Sequence, residues 1–328
     1  MSSGSHSCAR SSRTIGSLVA WGLLALAAGC GGDGDDTAAG VPVVVATTSI
    51  WADVVANVAC DGQVQVRTIV PVGADPHAFE PSLADRALME DSVLIVANGL
   101  GLEEGLASTL EAVEGAGTPV FELTDHIDTL PYTSHDDDDD DATADDEHEH
   151  EGDDPHVWFD PVRVAAALPA LADRLVAAGG LDPEHVAECV TAYTSELEAA
   201  DAQIVDLLSA VPDERRKLVT NHDALGYFAD RYGFEVVGTV IPTPSGLAET
   251  NPAQLEALAR LIEDVGVPAV FAESQHSTAD AEALAARVGD VEVVTLLTGT
   301  VGGDDEASTY VGVLMADARL IAAALSPA

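Results

Sequence analysis

The chain has 328 residues, of which 47% are hydrophobic and 4% aromatic, so it has enough apolar content for a packed core and global disorder is excluded. Its 13 Lys and Arg residues are far outnumbered by 57 Asp and Glu residues, which gives a formal net charge of −44 at pH 7. A field of that sign repels phosphates and attracts cations, so we expect no nucleic-acid partner.

Residues 1–29 have the composition of a secretory signal, because two arginines precede the apolar stretch 15–28, which is too short to be a permanent membrane span. The ending LAAGC resembles a bacterial lipobox, which predicts that Cys30 is acylated, although an ordinary signal peptide with an incidental cysteine is the alternative. Residues 30–41 would then form a flexible tether. The mature chain is therefore expected outside the cytoplasm, anchored to the membrane as a lipoprotein.

From Val41 onward, short β-branched runs alternate with amphipathic windows, a pattern typical of parallel, wound α/β sheets. The first array has predicted strands at 43–48, 64–70, 93–97 and 118–122, with helices near 50–59, 82–90 and 102–113. The second has predicted strands at 217–220, 235–241, 268–272 and 291–296, with helices near 223–231, 252–265, 278–288 and 306–325. We therefore predict an α/β fold of two lobes, 42–181 and 212–328, each a wound parallel sheet with helices on both faces.

A mostly helical tract separates the two arrays. Asp160 and Pro161 are a capping residue and a first-turn proline for a helix over 161–178, with a kink expected at Pro169. A second Asp-Pro pair begins a long stretch without Gly or Pro, so 182–211 is predicted as one backbone helix joining the lobes. At 1.5 Å per residue it would be on the order of 40 Å long.

Residues 134–154 form an acidic segment with three histidines, His135, His148 and His150, and are predicted to be a disordered loop inside the first lobe. Because the histidines are interleaved with acids, the loop is interpreted as a set of weak metal sites. A merely solvated acidic loop is the alternative.

Three further histidines lie where a ligand site is expected. His77 follows the strand 64–70, and His222 follows the strand 217–220, so both lie at carboxyl ends of strands, where open α/β sheets bind ligands. His156 lies where the acidic loop re-enters the fold. Three histidines from separate elements are a familiar zinc arrangement. By contrast, His126 and His185 are interpreted as surface residues. His276 follows another predicted strand of the second array and could approach the crevice, but a surface position is preferred.

The mature chain resembles the metal-specific solute-binding lipoproteins of zinc and manganese ABC importers, in their zinc-specific branch. The resemblance covers nearly the whole mature chain and is carried by the blocks 47–50 (TTSI), 71–81 (PVGADPHAFEP), 98–103 (NGLGLE), 154–158 (DPHVW), 222–228 (HDALGYF) and 271–275 (FAESQ). It implies His77, His156 and His222 as metal ligands, Zn²⁺ as the transported ion, and an ABC permease with its ATPase as partners. It also implies a monomer that is not an enzyme, with cell adhesion known at family level.

The fourth ligand departs from the family pattern. Relatives typically have an Asp after the last strand, where this chain has Gly299, and manganese-selective relatives typically replace the third His with Glu. The resulting nitrogen donor set favours zinc over manganese, although copper and nickel also suit it. Water is the leading hypothesis for the fourth position, with a loop His, Asp304 or Asp305 as competitors and Glu273 preferred in an outer role.

Two rival functions remain open at this level, a zinc-dependent hydrolase and a surface zinc buffer or adhesin without a transporter. A manganese-binding member of the same family is a further alternative. The redox state of the two remaining cysteines, Cys60 and Cys189, is also open, because sequence does not place them within bridging distance.

Overall fold

The computed structural model describes residues 40–60, 62–132, 152–241, 246, 250–302 and 307–327. Within these residues the chain forms two four-stranded parallel sheets with the same strand order, the first strand of each sheet lying between the second and the third. This confirms the predicted α/β fold of two wound parallel sheets. The signal segment, Cys30, Asp304 and the histidines of the acidic loop lie outside the described residues.

The N-terminal sheet has strands β1 (Val43–Ala46), β2 (Gln65–Thr68), β3 (Leu94–Ala97) and β4 (Val120–Glu122), with helices α1 (Ser49–Ala59), α2 (Leu83–Glu90) and α3 (Ala107–Ala116). The C-terminal sheet has β5 (Lys217–Thr220), β6 (Glu235–Thr239), β7 (Ala269–Glu273) and β8 (Glu292–Leu296), with α6 (Gly226–Tyr232), α7 (Pro252–Val265), α8 (Ala279–Val288) and α9 (Tyr310–Leu325).

Each predicted strand is present, but three helices begin later than the sequence predicts. The helix predicted near 102–113 begins at Ala107, after a 3-10 turn at Glu104–Leu106, because Glu103 has a non-helical backbone with φ −92° and ψ 56°. The helices predicted near 223–231 and 306–325 begin at Gly226 and Tyr310.

Helices cover both faces of each sheet, as the burial of the central strands shows. Along β1, Val44 enters the main apolar core, whereas Val45 packs in a separate cluster on the opposite face. Phe271 of β7 joins that same main core, while Val270 packs in a cluster on the other face. The period-2 alternation of strand side chains explains the division. The two sheets therefore share one continuous core.

Two helices connect the sheets, α4 (Pro161–Gly179) and α5 (Pro183–Leu208). Asp160 caps α4 by accepting hydrogen bonds from the backbone N–H groups of Val162 and Arg163, and Gly180 ends it in the left-handed conformation. The 26 residues of α5 pack against α1, α4 and α9, so this helix contacts both halves of the chain. The lobe boundaries at 181 and 212 stay a prediction.

A disulfide joins Cys60, at the end of α1, to Cys189 in α5, with a Cα–Cα distance of 6.2 Å. The sequence left the redox state of these two cysteines open, and the structure shows that they are bonded. The bridge attaches α1, in the N-terminal half, to the connecting helix α5. Among the helices of the described residues, none has the length and apolar character of a membrane span.

Asp317 is a buried acid of α9 whose pKa is raised to about 7, chiefly by burial. One oxygen accepts a hydrogen bond from the backbone N–H of Leu297 at 2.8 Å. Between the ordinary carboxyl value and about 7, the folded protein keeps this proton while the unfolded chain releases it. The contribution of Asp317 to the free energy of unfolding therefore falls as the pH rises through this window, by about 1.4 kcal/mol per pH unit.

We predict that Asp317→Asn becomes progressively more stable than the unsubstituted protein as the pH rises from about 4 to about 7. Asn keeps the acceptor for Leu297 but has no proton to lose. Urea unfolding across this range measures the difference, with Asp264→Asn on the exposed face of α7 as the control. A difference for Asp317→Asn that stays constant with pH would contradict the prediction.

Candidate metal centre

Three buried imidazoles meet between the two sheets. His77 lies in the loop after β2, His156 lies just before a 3-10 turn that leads into α4, and His222 directly follows β5. Their exposed fractions are 4%, 2% and 2%. Nε2 of His156 lies 3.4 Å from Nε2 of His77 and 3.2 Å from Nε2 of His222. The structure thus brings together the three histidines that the sequence singled out.

These separations match a tetrahedral zinc site. With Zn–N bonds of about 2.0–2.1 Å, two ligand atoms on one tetrahedral ion lie roughly 3.3–3.4 Å apart. One potential ligand atom from each of the three side chains falls within 4.8 Å of the others. The three imidazoles are therefore spaced to bind one ion through their Nε2 atoms with little rearrangement.

His156 is oriented by Asp154. The Asp154 carboxylate lies 2.7 Å from Nδ1 of His156 and also accepts the backbone N–H of His156 at 2.9 Å. A carboxylate behind Nδ1 holds the proton there, so the lone pair of Nε2 points toward the other two imidazoles.

His222 has an equivalent partner in Glu273, the last residue of β7, which contacts Nδ1 of His222 and accepts the Thr298 hydroxyl at 2.6 Å. Burial alone would raise the pKa of Glu273, but His222 and these hydrogen bonds hold it below its usual range. Burial likewise opposes protonation of His222, yet Glu273 raises the pKa of His222 above its ordinary value. Glu273 thus stands behind a proposed ligand rather than beside the Nε2 atoms.

His77 is held through its backbone. Its N–H donates to Asp75 at 2.9 Å and its carbonyl accepts from Gly105, while Nδ1 has no hydrogen-bond partner in the part of the chain that the structure describes. Burial, reinforced by the neighbouring His156 and His222, lowers the pKa of His77 to about 2. The imidazole is therefore neutral and presents a free lone pair to a cation.

The segment that carries His156 is held by hydrogen bonds to several other segments. Tyr227 donates to the carbonyl of Asp154 at 2.8 Å, and Asn98 donates to the carbonyl of Pro155 at 2.9 Å. The indole of Trp158 donates to the carbonyl of Thr298 at 2.6 Å. Tyr310 donates to the carbonyl of Trp158 at 2.5 Å.

Two residues that the sequence did not assign to the site, His276 and Gln275, also line the pocket. His276, predicted at the surface, is 14% exposed and its ring centroid lies 5.2 Å from that of His222. Its position three residues after Glu273, at the carboxyl end of β7, was the available signal. Gln275 packs against Gly299 so closely that a Cβ built on Gly299 would overlap its Nε2 atom. The Gln275 amide therefore fills the space that a side chain at position 299 would need.

Comparisons with known proteins show the family of this chain. Residues 44–324 match the family model described as "ZnuA: Zinc-uptake complex component A periplasmic". The chain belongs to this family of metal-binding solute-binding proteins of ABC transporters. The predicted family resemblance is confirmed.

Two relatives and one solved structure illustrate the match. The zinc-binding protein TroA of Treponema pallidum is 31% identical over 320 residues, which cover 96% of this chain and 98% of TroA. The manganese-binding lipoprotein MntA of Halalkalibacterium halodurans is 31% identical over 79% of this chain and 80% of its own. The structure of the periplasmic zinc binding protein TroA from T. pallidum superposes with a TM-score of 0.76 at 28% identity, covering 88% of this chain and 100% of that one.

We predict that Asp154→Asn weakens zinc binding by roughly 10–100-fold, the usual effect of losing the partner behind a ligating imidazole. The amide no longer fixes the proton on Nδ1 of His156. A competition titration against a coloured chelator measures the change. Asp173→Asn, on the exposed side of α4, is the control. Equal affinity in both variants would show that Asp154 does not orient His156.

Proposed function

We propose that this protein is an extracytoplasmic lipoprotein, anchored at Cys30, that captures Zn²⁺ with His77, His156 and His222 and delivers it to the permease and ATPase of an ABC importer. The observation that carries this proposal is the convergence of three buried Nε2 atoms at tetrahedral spacing. The name of TroA supports zinc, whereas that of MntA points to manganese as the alternative cargo.

The donor set favours zinc. Each of the three atoms is an imidazole nitrogen, a ligand type that suits zinc, whereas manganese prefers carboxylate and carbonyl oxygen. Gly299 contributes no carboxylate, and Glu273 is engaged with His222 and Thr298. We place water at the fourth position of the bound ion, while Asp304 remains a competitor from outside the described residues.

A binding role is proposed in preference to hydrolysis. A zinc hydrolase needs an open coordination position and a general base within reach of the bound water. Glu273, the carboxylate of the pocket nearest to His222, already contacts Nδ1 of that residue and is hydrogen-bonded by Thr298. A screen of the zinc-loaded protein against ester, amide and phosphoester substrates tests this alternative.

The acidic loop is proposed to collect cations before they reach the buried centre. Its histidines, His135, His148 and His150, would bind zinc weakly among the acids that surround them. We therefore propose that the loop raises the local zinc concentration near the buried centre.

We predict that alanine at His77, His156 or His222 weakens zinc binding by more than the roughly 10–100-fold that loss of an outer partner produces, because a direct bond to the ion is removed. Chelator competition with zinc, manganese and copper measures both affinity and selectivity. His126→Ala, which removes an exposed histidine stacked on Phe121, is the matched control. Tight zinc binding in all three alanine variants would overturn the proposed function.

We also predict that Gln275→Ala combined with Gly299→Asp lowers the preference for zinc over manganese by about tenfold, since the pair adds a carboxylate to a nitrogen site. Gly299→Asp alone is expected to destabilise the pocket, because the new side chain would overlap Gln275. Isothermal titration with each metal compares the double variant with Gln275→Ala. An unchanged ratio of dissociation constants would show that position 299 does not face the ion.

A further inference from the structure

A second group of potential ligands adjoins the three-histidine centre. His222, Glu273 and His276 place one ligand atom each within 4.8 Å of the others. His222 is shared between the two groups, so they are contiguous. The fold brings His222 and Glu273 together because β5 and β7 are neighbours in the C-terminal sheet.

The two groups differ in their access to solvent. The side chain of His276 is 14% exposed, whereas that of Glu273 is 5% exposed and the three central histidines are at most 4% exposed. His276 is therefore the histidine of the described pocket that an ion arriving from solvent meets first.

The distances suit a cation held between imidazole and carboxylate. Nε2 of His276 lies 3.9 Å from Oε2 of Glu273, too far for a hydrogen bond. Two ligands with bonds of about 2.0–2.2 Å to one tetrahedral zinc ion lie roughly 3.3–3.6 Å apart, so these two atoms would approach each other by a few tenths of an ångström on binding. Oε2 accepts the Thr298 hydroxyl and keeps a second lone pair, while the other oxygen, Oε1, contacts His222.

Charge favours an ion at this position. Glu273 brings a carboxylate that is 5% exposed to this position. A buried carboxylate attracts a divalent cation more strongly than an exposed one, because water screens it less. Two dications sharing His222 would repel each other, so the outer and central positions hold one ion in turn.

We propose that His276, Glu273 and His222 form an outer subsite for a divalent cation with mixed nitrogen and oxygen ligands. The ion binds there first and then passes over His222 to the three-histidine centre. This inference rests on the proposed function, because the central site is the destination of the ion.

Stopped-flow mixing of Co²⁺ with the metal-free mature protein tests the proposal, since the Co²⁺ absorption spectrum reports the ligands of the final complex. His276→Ala is compared with His126→Ala, which removes a histidine remote from the pocket, and His276→Gln serves as a second variant. A group that contacts the ion only in transit changes the association and dissociation rates by the same factor. We expect both rates to fall roughly tenfold in the His276 variants, with the dissociation constant and the spectrum of the one-to-one complex unchanged.

Two results would overturn the subsite. Rates for both His276 variants equal to those of His126→Ala would show that the ion does not use this position. A changed spectrum together with weaker equilibrium binding would make His276 a ligand of the final complex instead. Both results leave the three-histidine centre standing, whereas failure of the proposed function is detected separately by the alanine variants of His77, His156 and His222.

Discussion

Three basic side chains buried within contact distance of each other are the constraint on which this structure depends. Imidazoles so placed cannot all carry protons, because each charge would be poorly solvated and would repel its neighbours. Asp154 and Glu273 relieve this constraint by holding protons on the outer nitrogens of His156 and His222, and burial keeps His77 neutral. The lone pairs then face a common point, where a divalent cation supplies the positive charge that protons do not.

The two sheets make that arrangement possible. Each of the three histidines comes from a different segment, and none is close to another in sequence. His77 follows an edge strand of the first sheet, and His222 follows a central strand of the second. The helix α5 packs against both halves and the halves share one apolar core, and residues that follow the carboxyl ends of strands in both sheets line a common pocket. The stability of the fold and the geometry of the site therefore depend on the same interface.

The sequence was sufficient to predict the sheets, the long helix and the three histidines that the structure brings together, because strand–helix alternation and the blocks around each histidine are local signals. It was not sufficient for contacts between distant segments. Nothing near Cys60 indicates Cys189, and nothing near Gly299 indicates that Gln275 fills its space. For His276, a position at the surface was preferred to one in the crevice. Its place in the pocket is set by the pairing of β7 with β5, which a single sequence does not display.

The hydrogen bonds that hold the segment around His156 have a mechanical consequence. Tyr227, Thr298 and Tyr310, all from the second half of the chain, bond to its backbone or to its indole, whereas Asn98 and Leu130 of the first half bond to the backbone of Pro155 and Asp154. His156 is therefore held between hydrogen bonds to both halves of the chain. A rotation that separates the sheets would break the hydrogen bonds on one side of this segment, so release of a bound ion would be coupled to a rearrangement around His156.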